Sequence, residues 1–304
     1  MKPAPFAYIA ARSLEEALSA KAEYGDEGRF LAGGQSLMPA INFRLAQPAV
    51  LIDINPLQAL DDVRDEANGM LIGAMTRYRT LERNAAVRRE QPLVREAIPH
   101  IGHPQIRNRG TVGGSLANAD PASELPAVML ALGARMRAQS LRGERWIRAE
   151  DFFVGALTTA LAADEILAEI EMPRAAPRTG TCFMEMARRL GDFALMGVAA
   201  TLTLDQDGCC TDARLAFCGA SDRPVRAEDA ARSLEGTRLA DAEIRQAAAL
   251  VQGAIDPAGN VHASKEYQRH LADVLTRRAL RAAAERALAA MGTMDEKQAS
   301  PHVQ

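Results

Sequence analysis

The sequence predicts an α+β protein of two domains. Three observations carry this. A chain of 304 residues and 32.7 kDa suits two domains. Up to about residue 176, strand and helix signals alternate around two glycine pairs, Gly33-Gly34 and Gly113-Gly114. The stretch Pro173-Arg-Ala-Ala-Pro-Arg-Thr-Gly180 then breaks the pattern like a linker, and strand signals followed by helical ones come after it.

The first 55 residues read as strand, helix, strand, loop, helix, strand. Ser13-Leu-Glu-Glu16 has the form of a capping box, with Leu14, Ala17 and Leu18 at helical spacing and Gly25 as the stop. Phe30-Leu-Ala32 is a short apolar run, and Val50-Leu-Ile-Asp-Ile54 is a strand ended by Asn55-Pro56. A second region spans 56–176. Met70–Gly73 reads as a strand, Thr76–Asn84 as a short helix and Arg109–Ser115 as a glycine-rich turn. Asp120-Pro121 is expected to open a helix that ends at Gly133, with Asp at the N-cap and Pro at the first helical position. Ile166–Met172 is a strand stopped by Pro173. Beyond the linker, Thr181–Arg189, Ala194–Asp205 and Cys209–Gly219 read as strands, with Asp207-Gly208 as a tight turn. Helical stretches follow at about 226–235, 241–253 and 264–290. The domains are therefore placed at 1–176 (subdomains of about 1–55 and 56–176) and 177–291, with a flexible tail at 292–304.

Composition excludes several function classes. A net charge of −3 and 4% aromatics argue against a nucleic-acid surface. No apolar stretch approaches the ~20 residues of a membrane span. Pro3 and Pro5 interrupt any signal-peptide core, so the expected compartment is the cytoplasm. Cys182, Cys209, Cys210 and Cys218 have neither zinc nor iron–sulfur spacing and read as buried free thiols. His100-Ile-Gly-His103 has the wrong spacing for one helical face, so no metal is expected; Asp61-Asp62 and Asp65-Glu66 read as a solvated turn. No nucleophile elbow occurs, and no catalytic residue is assigned.

The glycine pairs are the most informative feature. Ala32-Gly-Gly-Gln-Ser-Leu37 and Val112-Gly-Gly-Ser-Leu-Ala117 echo each other. Adjacent glycines let the backbone approach a ligand with no Cβ in the way. Successive N–H groups can converge on an anion as a nest. Ser36, Thr111 and Ser115 add hydroxyl donors. Two such loops suit a diphosphate gripped from either side. Neither fits the Rossmann or P-loop pattern.

Four stretches together resemble a known family. Ala32-Gly-Gly-Gln-Ser-Leu-Met-Pro39 with Leu51-Ile-Asp-Ile-Asn55 is similar to the first flavin motif of the molybdenum hydroxylases. Thr111-Val-Gly-Gly-Ser-Leu-Ala-Asn-Ala-Asp-Pro-Ala-Ser-Glu-Leu-Pro126 is similar to the second. Arg188-Arg-Leu-Gly-Asp-Phe-Ala194 and Val261-His-Ala-Ser-Lys-Glu-Tyr-Gln-Arg-His-Leu271 resemble two later landmarks. The resemblance covers about residues 3–290 and is greatest to the medium, FAD-binding subunit of the carbon monoxide dehydrogenase and xanthine dehydrogenase group.

The resemblance implies a two-subdomain PCMH-type FAD-binding domain, then a small domain of a three-stranded antiparallel sheet with a helical bundle. It implies that Ala32, Gly33, Gly34, Gln35, Ser36 and Leu37, with Thr111, Gly113, Gly114 and Ser115, wrap the FAD diphosphate. Ile101 and Gly102 are implied near the flavin or its linker, and Asn118, Ser123 and Glu124 further along the cofactor. Leu167 is implied to contact the isoalloxazine through its backbone. Phe193 is implied to pack on one ring face; on its residues alone it reads as core packing. Gln35 stands where some relatives have His. The partners implied are a large molybdopterin-binding subunit and a small subunit with two-iron two-sulfur clusters, as a dimer of heterotrimers, with electrons passing through FAD to an external acceptor. The competing readings are a self-contained flavin oxidase acting on its own small substrate, and a nucleotide-binding module without a redox role.

Overall fold

The structure, a computed structural model, describes residues 2–299, with side chains described as far as Ala290. The flexible tail expected at 292–304 lies outside the residues whose side chains are described. The first unit contains β1 (Ala7–Ala10), α1 (Leu14–Tyr24), β2 (Gly28–Leu31), α2 (Leu37–Asn42) and β3 (Val50–Asp53). The strands form a parallel sheet in the order β1-β3-β2. Parallel neighbours need a crossover, which the two helices supply. Val50, Leu51 and Ile52 of the middle strand are all buried, as a strand covered on both faces requires. Ser13 caps α1, its hydroxyl accepting from the Glu16 amide at 3.1 Å, and Gly25 ends it.

The second unit begins with β4 (Val63–Glu66) and β5 (Gly69–Gly73). Six helices follow: α3 (Tyr78–Arg83), α4 (Ala85–Glu90), α5 (Pro92–Ala97), α6 (Pro104–Arg109), α7 (Val112–Asn118) and α8 (Glu124–Leu132). Then come β6 (Arg135–Ser140), β7 (Gly143–Arg148), α9 (Ala149–Phe152), β8 (Phe153–Gly155), β9 (Thr158–Thr159) and β10 (Ile166–Pro173). Five of the strands form an antiparallel sheet in the order β4-β5-β10-β6-β7, and β8 and β9 form a separate small hairpin.

Two local expectations are corrected. The acidic stretch expected as a solvated turn contains an edge strand, because Asp65 and Glu66 pair with β5 and Asp65 also pairs with Arg174 and Arg89. The helix expected from Asp120-Pro121 starts at Glu124. Asp120 instead closes a turn: its carboxylate accepts from the Ala122 amide at 2.9 Å and its carbonyl from the Ser123 amide at 3.0 Å.

The third unit is the antiparallel sheet β11 (Thr179–Met186), β12 (Met196–Leu204) and β13 (Cys210–Cys218), extended by the two-residue strand β14 (Val225–Arg226). Helices α10 (Glu228–Arg232), α11 (Asp241–Leu250) and α12 (Lys265–Ala299) follow. α12 packs along β11 and β12 and buries Leu271, Leu275 and Leu280. Cys182, Cys210 and Cys218 are buried free thiols, whereas Cys209 is half-buried. α8 joins the second and third units. It touches β10 on one side and β12 and β13 on the other, and residues 124–131 are all buried. A helix apolar on every face is stable only in such a position.

Candidate functional site

The first glycine loop, Ala32–Ser36, leaves β2 and enters α2. Gly34 has φ 73°, a conformation that glycine adopts without the Cβ penalty. The amides of Gly33, Gly34, Gln35 and Ser36 donate to no protein acceptor among the described residues. Gln35 turns back and donates its side-chain amide to the Gly33 carbonyl at 3.0 Å, which braces the loop.

The second glycine motif is built differently. Thr111 is the N-cap of α7, its hydroxyl accepting from the Gly114 amide at 3.1 Å. The Val112 amide donates to Thr76 O at 3.0 Å, Gly113 to Ala74 O at 2.8 Å and Ser115 to Thr111 O at 3.1 Å. All four amides therefore have protein acceptors, and the nest expected here does not form. Its glycines serve packing: a Cβ on Gly113 would overlap Ala74, and one on Gly114 would stand 2.6 Å from the Thr111 hydroxyl. What this segment can present to a ligand is side-chain hydroxyl and amide chemistry, from Ser115 and Asn118.

A polar strut ties the two motifs together. Asn55, just past β3, donates its side-chain amide to Ala32 O at 2.9 Å. Arg77 donates to the Asn55 side-chain oxygen at 2.6 Å and, through its other terminal nitrogen, to the Arg109 carbonyl. Each glycine motif is thus fixed to the other through a guanidinium fork, whose planar geometry holds two acceptors at a set spacing.

Both motifs open onto one cleft of about 690 Å³, within the range of sites that enclose an organic ligand. Every residue singled out from the sequence lines it: Ala32–Leu37, Ile101, Gly102, Thr111, Gly113, Gly114, Ser115, Asn118, Ser123, Glu124, Leu167 and Phe193. Arg107 positions the Ile101–Gly102 turn by donating to both carbonyls, at 3.3 and 2.8 Å. Leu167 lines the cleft at the point where β10 slips register against β6. Phe193 is 64% exposed at the rim and has no core role.

Sequence reasoning missed several lining residues. Lys21 is buried, and its ammonium donates to Gly25 O at 2.6 Å and Gly28 O at 2.8 Å. Only its place among a handful of lysines marked it. Leu157 lies at the tip of the β8–β9 hairpin with φ 51°, a costly conformation for a branched side chain. No Asn-Gly or Asp-Gly signal announced that turn.

Electrostatics single out Glu124. Burial in the first turn of α8 pushes its carboxyl up to about 8; its own backbone amide and His100 oppose the shift, while Glu185 and Asp120 add to it. Burial likewise raises the Tyr78 phenol, which is hydrogen-bonded to Ser115. Burial lowers Lys21. His100 is held above its usual range by the Glu185 carboxylate, 3.2 Å from its Nδ1. Among the described residues no group of three or more His, Cys, Asp or Glu is arranged to hold a metal ion, and no helix is long and apolar enough to cross a membrane.

The site fits FAD on its own terms. It offers open amides on one loop for an anion, hydroxyls opposite them, and apolar walls from Ile101, Leu157, Leu167 and Phe193. The family described as "FAD binding domain in molybdopterin dehydrogenase" matches residues 4–175, and "CO dehydrogenase flavoprotein C-terminal domain" matches residues 181–283. The chain is 40% identical to the 6-hydroxypseudooxynicotine dehydrogenase complex subunit alpha of Paenarthrobacter nicotinovorans, over 97% of this chain and 100% of that one. It is 42% identical to the caffeine dehydrogenase subunit beta of Pseudomonas sp. (strain CBB1), over 94% and 97%. Its fold superposes on a chain of carbon monoxide dehydrogenase from Hydrogenophaga pseudoflava with a TM-score of 0.92 at 34% identity, covering 94% of this chain and 99% of that one. The chain therefore belongs to the FAD-binding family of the molybdopterin dehydrogenases and is an oxidoreductase subunit of the carbon monoxide dehydrogenase medium-chain type.

Proposed function

We propose that this chain relays electrons within a molybdenum hydroxylase, taking them from two-iron two-sulfur clusters of a small subunit and passing them to an external acceptor. A large molybdopterin-binding subunit would hydroxylate the substrate. The observation that carries this reading is the convergence of both glycine motifs and all the associated side chains on one cleft. FAD bound there supplies the redox chemistry. This chain's residues bind, orient and shield. The open amides of Gly33–Ser36 receive the diphosphate, each charge-assisted hydrogen bond contributing about 1.5–3 kcal/mol. Ser115 and Asn118 of α7 line the cleft and would hold it through side-chain hydrogen bonds. Ile101, Leu167 and Phe193 line the space for the isoalloxazine and keep water from it. Substrate chemistry is assigned to the partner subunit. Buried free thiols at Cys182, Cys210 and Cys218 favour a reducing compartment, the cytoplasm.

Co-purification with its neighbouring subunits tests this reading. The expected product is an assembly with one noncovalent FAD per copy of this chain, whose flavin is reduced when substrate is added. A flavin-free chain in the intact assembly would contradict it. Turnover of a small substrate by this chain alone would favour a self-contained flavin enzyme instead.

A further inference from the structure

Beneath the cleft lies a group of ionisable side chains that cofactor binding does not by itself explain. Glu124 faces the cleft with 5% of its surface exposed. Behind it, the Glu185 side chain on β11 is 2% exposed. One Glu185 oxygen meets His100 at 3.2 Å, and the other is buried without a hydrogen-bond partner among the described residues. Tyr78 of α3, Asp120 of the α7–α8 turn, Cys218 of β13 and His100 surround this pair, and Glu96 of α5, itself paired with Arg286 at 2.8 Å, acts on His100. Cys218 and Tyr78 are neutral thiol and phenol, because burial raises both. An ionised Glu124 would lie buried near the Glu185 carboxylate, with His100 as the cation beside Glu185. Buried like charges at close range share protons rather than all ionise. The second Glu185 oxygen has no donor among the described residues, so nothing but His100 offsets that carboxylate.

We propose that Glu124 is a proton-linked contact of the cofactor cleft: it meets FAD as the neutral acid, is kept neutral by its burial with Glu185 acting in the same direction, and opposes FAD once it ionises. This rests on the cofactor reading above. As the acid, Glu124 offers an O–H donor to the ligand. As the carboxylate, it puts a negative charge beside a ligand whose diphosphate is a dianion, in a site where water screens poorly. Binding of FAD then holds one proton on Glu124 at alkaline pH, and FAD affinity falls as pH rises.

Flavin-fluorescence titration of the full chain with FAD from pH 6.5 to 9.5 tests this. With the competent fraction set by a carboxyl titrating at about 8, Kd rises about tenfold between pH 7 and pH 9. In Glu124→Gln, a permanently neutral side chain, Kd varies less than twofold over that span. In Glu185→Gln, loss of the neighbouring charge moves the fall to lower pH, a shift that a purely structural role would not produce. A Kd in the unaltered chain that is flat with pH, or an unchanged fall in Glu124→Gln, overturns the proposal. If Glu124→Gln does not fold, the profiles of the unaltered chain and of Glu185→Gln decide. Absence of FAD binding at every pH refutes the cofactor reading itself, a different failure.

Discussion

The backbone of Gly33 passes so close to Arg109 that a Cβ at position 33 would overlap the Arg109 carbonyl oxygen and stand 2.8 Å from Gly110 Cα. The first glycine motif follows β2 and the second joins α6 to α7, yet their backbones touch at this point. Gly33→Ala must push them apart, since the obstacle is backbone and cannot rotate away. The expected result is a loss of FAD affinity of at least tenfold, about 1.4 kcal/mol, with a lowered Tm. Fluorescence titration and thermal unfolding read the two effects, and unaltered affinity in the variant would separate the contact from ligand binding.

The Asn55–Arg77 strut predicts a graded effect. Arg77→Ala removes hydrogen bonds to Asn55 and to the Arg109 carbonyl. It leaves Asn55 and the Ala32 carbonyl it holds without lateral support. Stability should fall by about 1–3 kcal/mol. Arg77→Lys should recover only part of this, because an ammonium lacks the fork that meets two acceptors at once. Urea unfolding of the three proteins gives the ranking.

Leu157 predicts a gain. Its backbone is held at φ 51° and its side chain is 63% exposed, so it carries strain with little burial in return. Leu157→Gly relieves the strain but adds unfolded-state entropy. The net stabilisation expected is up to about 1 kcal/mol, read by denaturant midpoint. Destabilisation would show that the side chain packs more than its exposure implies.

Glu124 predicts the pH dependence of apoprotein stability. Its carboxyl is raised in the folded state from an ordinary 4.5 to about 8. Between those values the folded chain holds a proton that the unfolded chain has lost. Stability from this group is therefore complete below pH 4.5 and is lost as pH rises through about 8, at up to about 1.4 kcal/mol per pH unit. Unfolding measured from pH 5.5 to 9 should show this slope up to about pH 8 and a levelling above it in the unaltered chain, and a shallower slope in Glu124→Gln.

Much of this was legible in the sequence because the relevant interactions are local. The Ser13 cap, the Gly133 stop and the φ > 0 loop at Gly34 are each set by neighbouring residues. What escaped is tertiary. The Thr111–Ser115 amides look free in sequence, but Ala74 and Thr76, far along the chain, take two of them. Asp120-Pro121 carries the letters of a helix start, yet the Asp120 side chain closes a turn that delays α8 to Glu124. Phe193 reads as core by residue type, whereas its position on a loop after β11 leaves it at the cleft rim. The cluster of Glu124, Glu185 and His100 joins three separated segments and has no sequence signature.

The most direct test of the central claim is a structure of the chain with FAD bound. Diphosphate oxygens are expected within about 3 Å of the open amides of Gly33–Ser36, with the Ser115 hydroxyl on the opposite side. A flavin lodged elsewhere, or a diphosphate that leaves those amides to solvent, would contradict it.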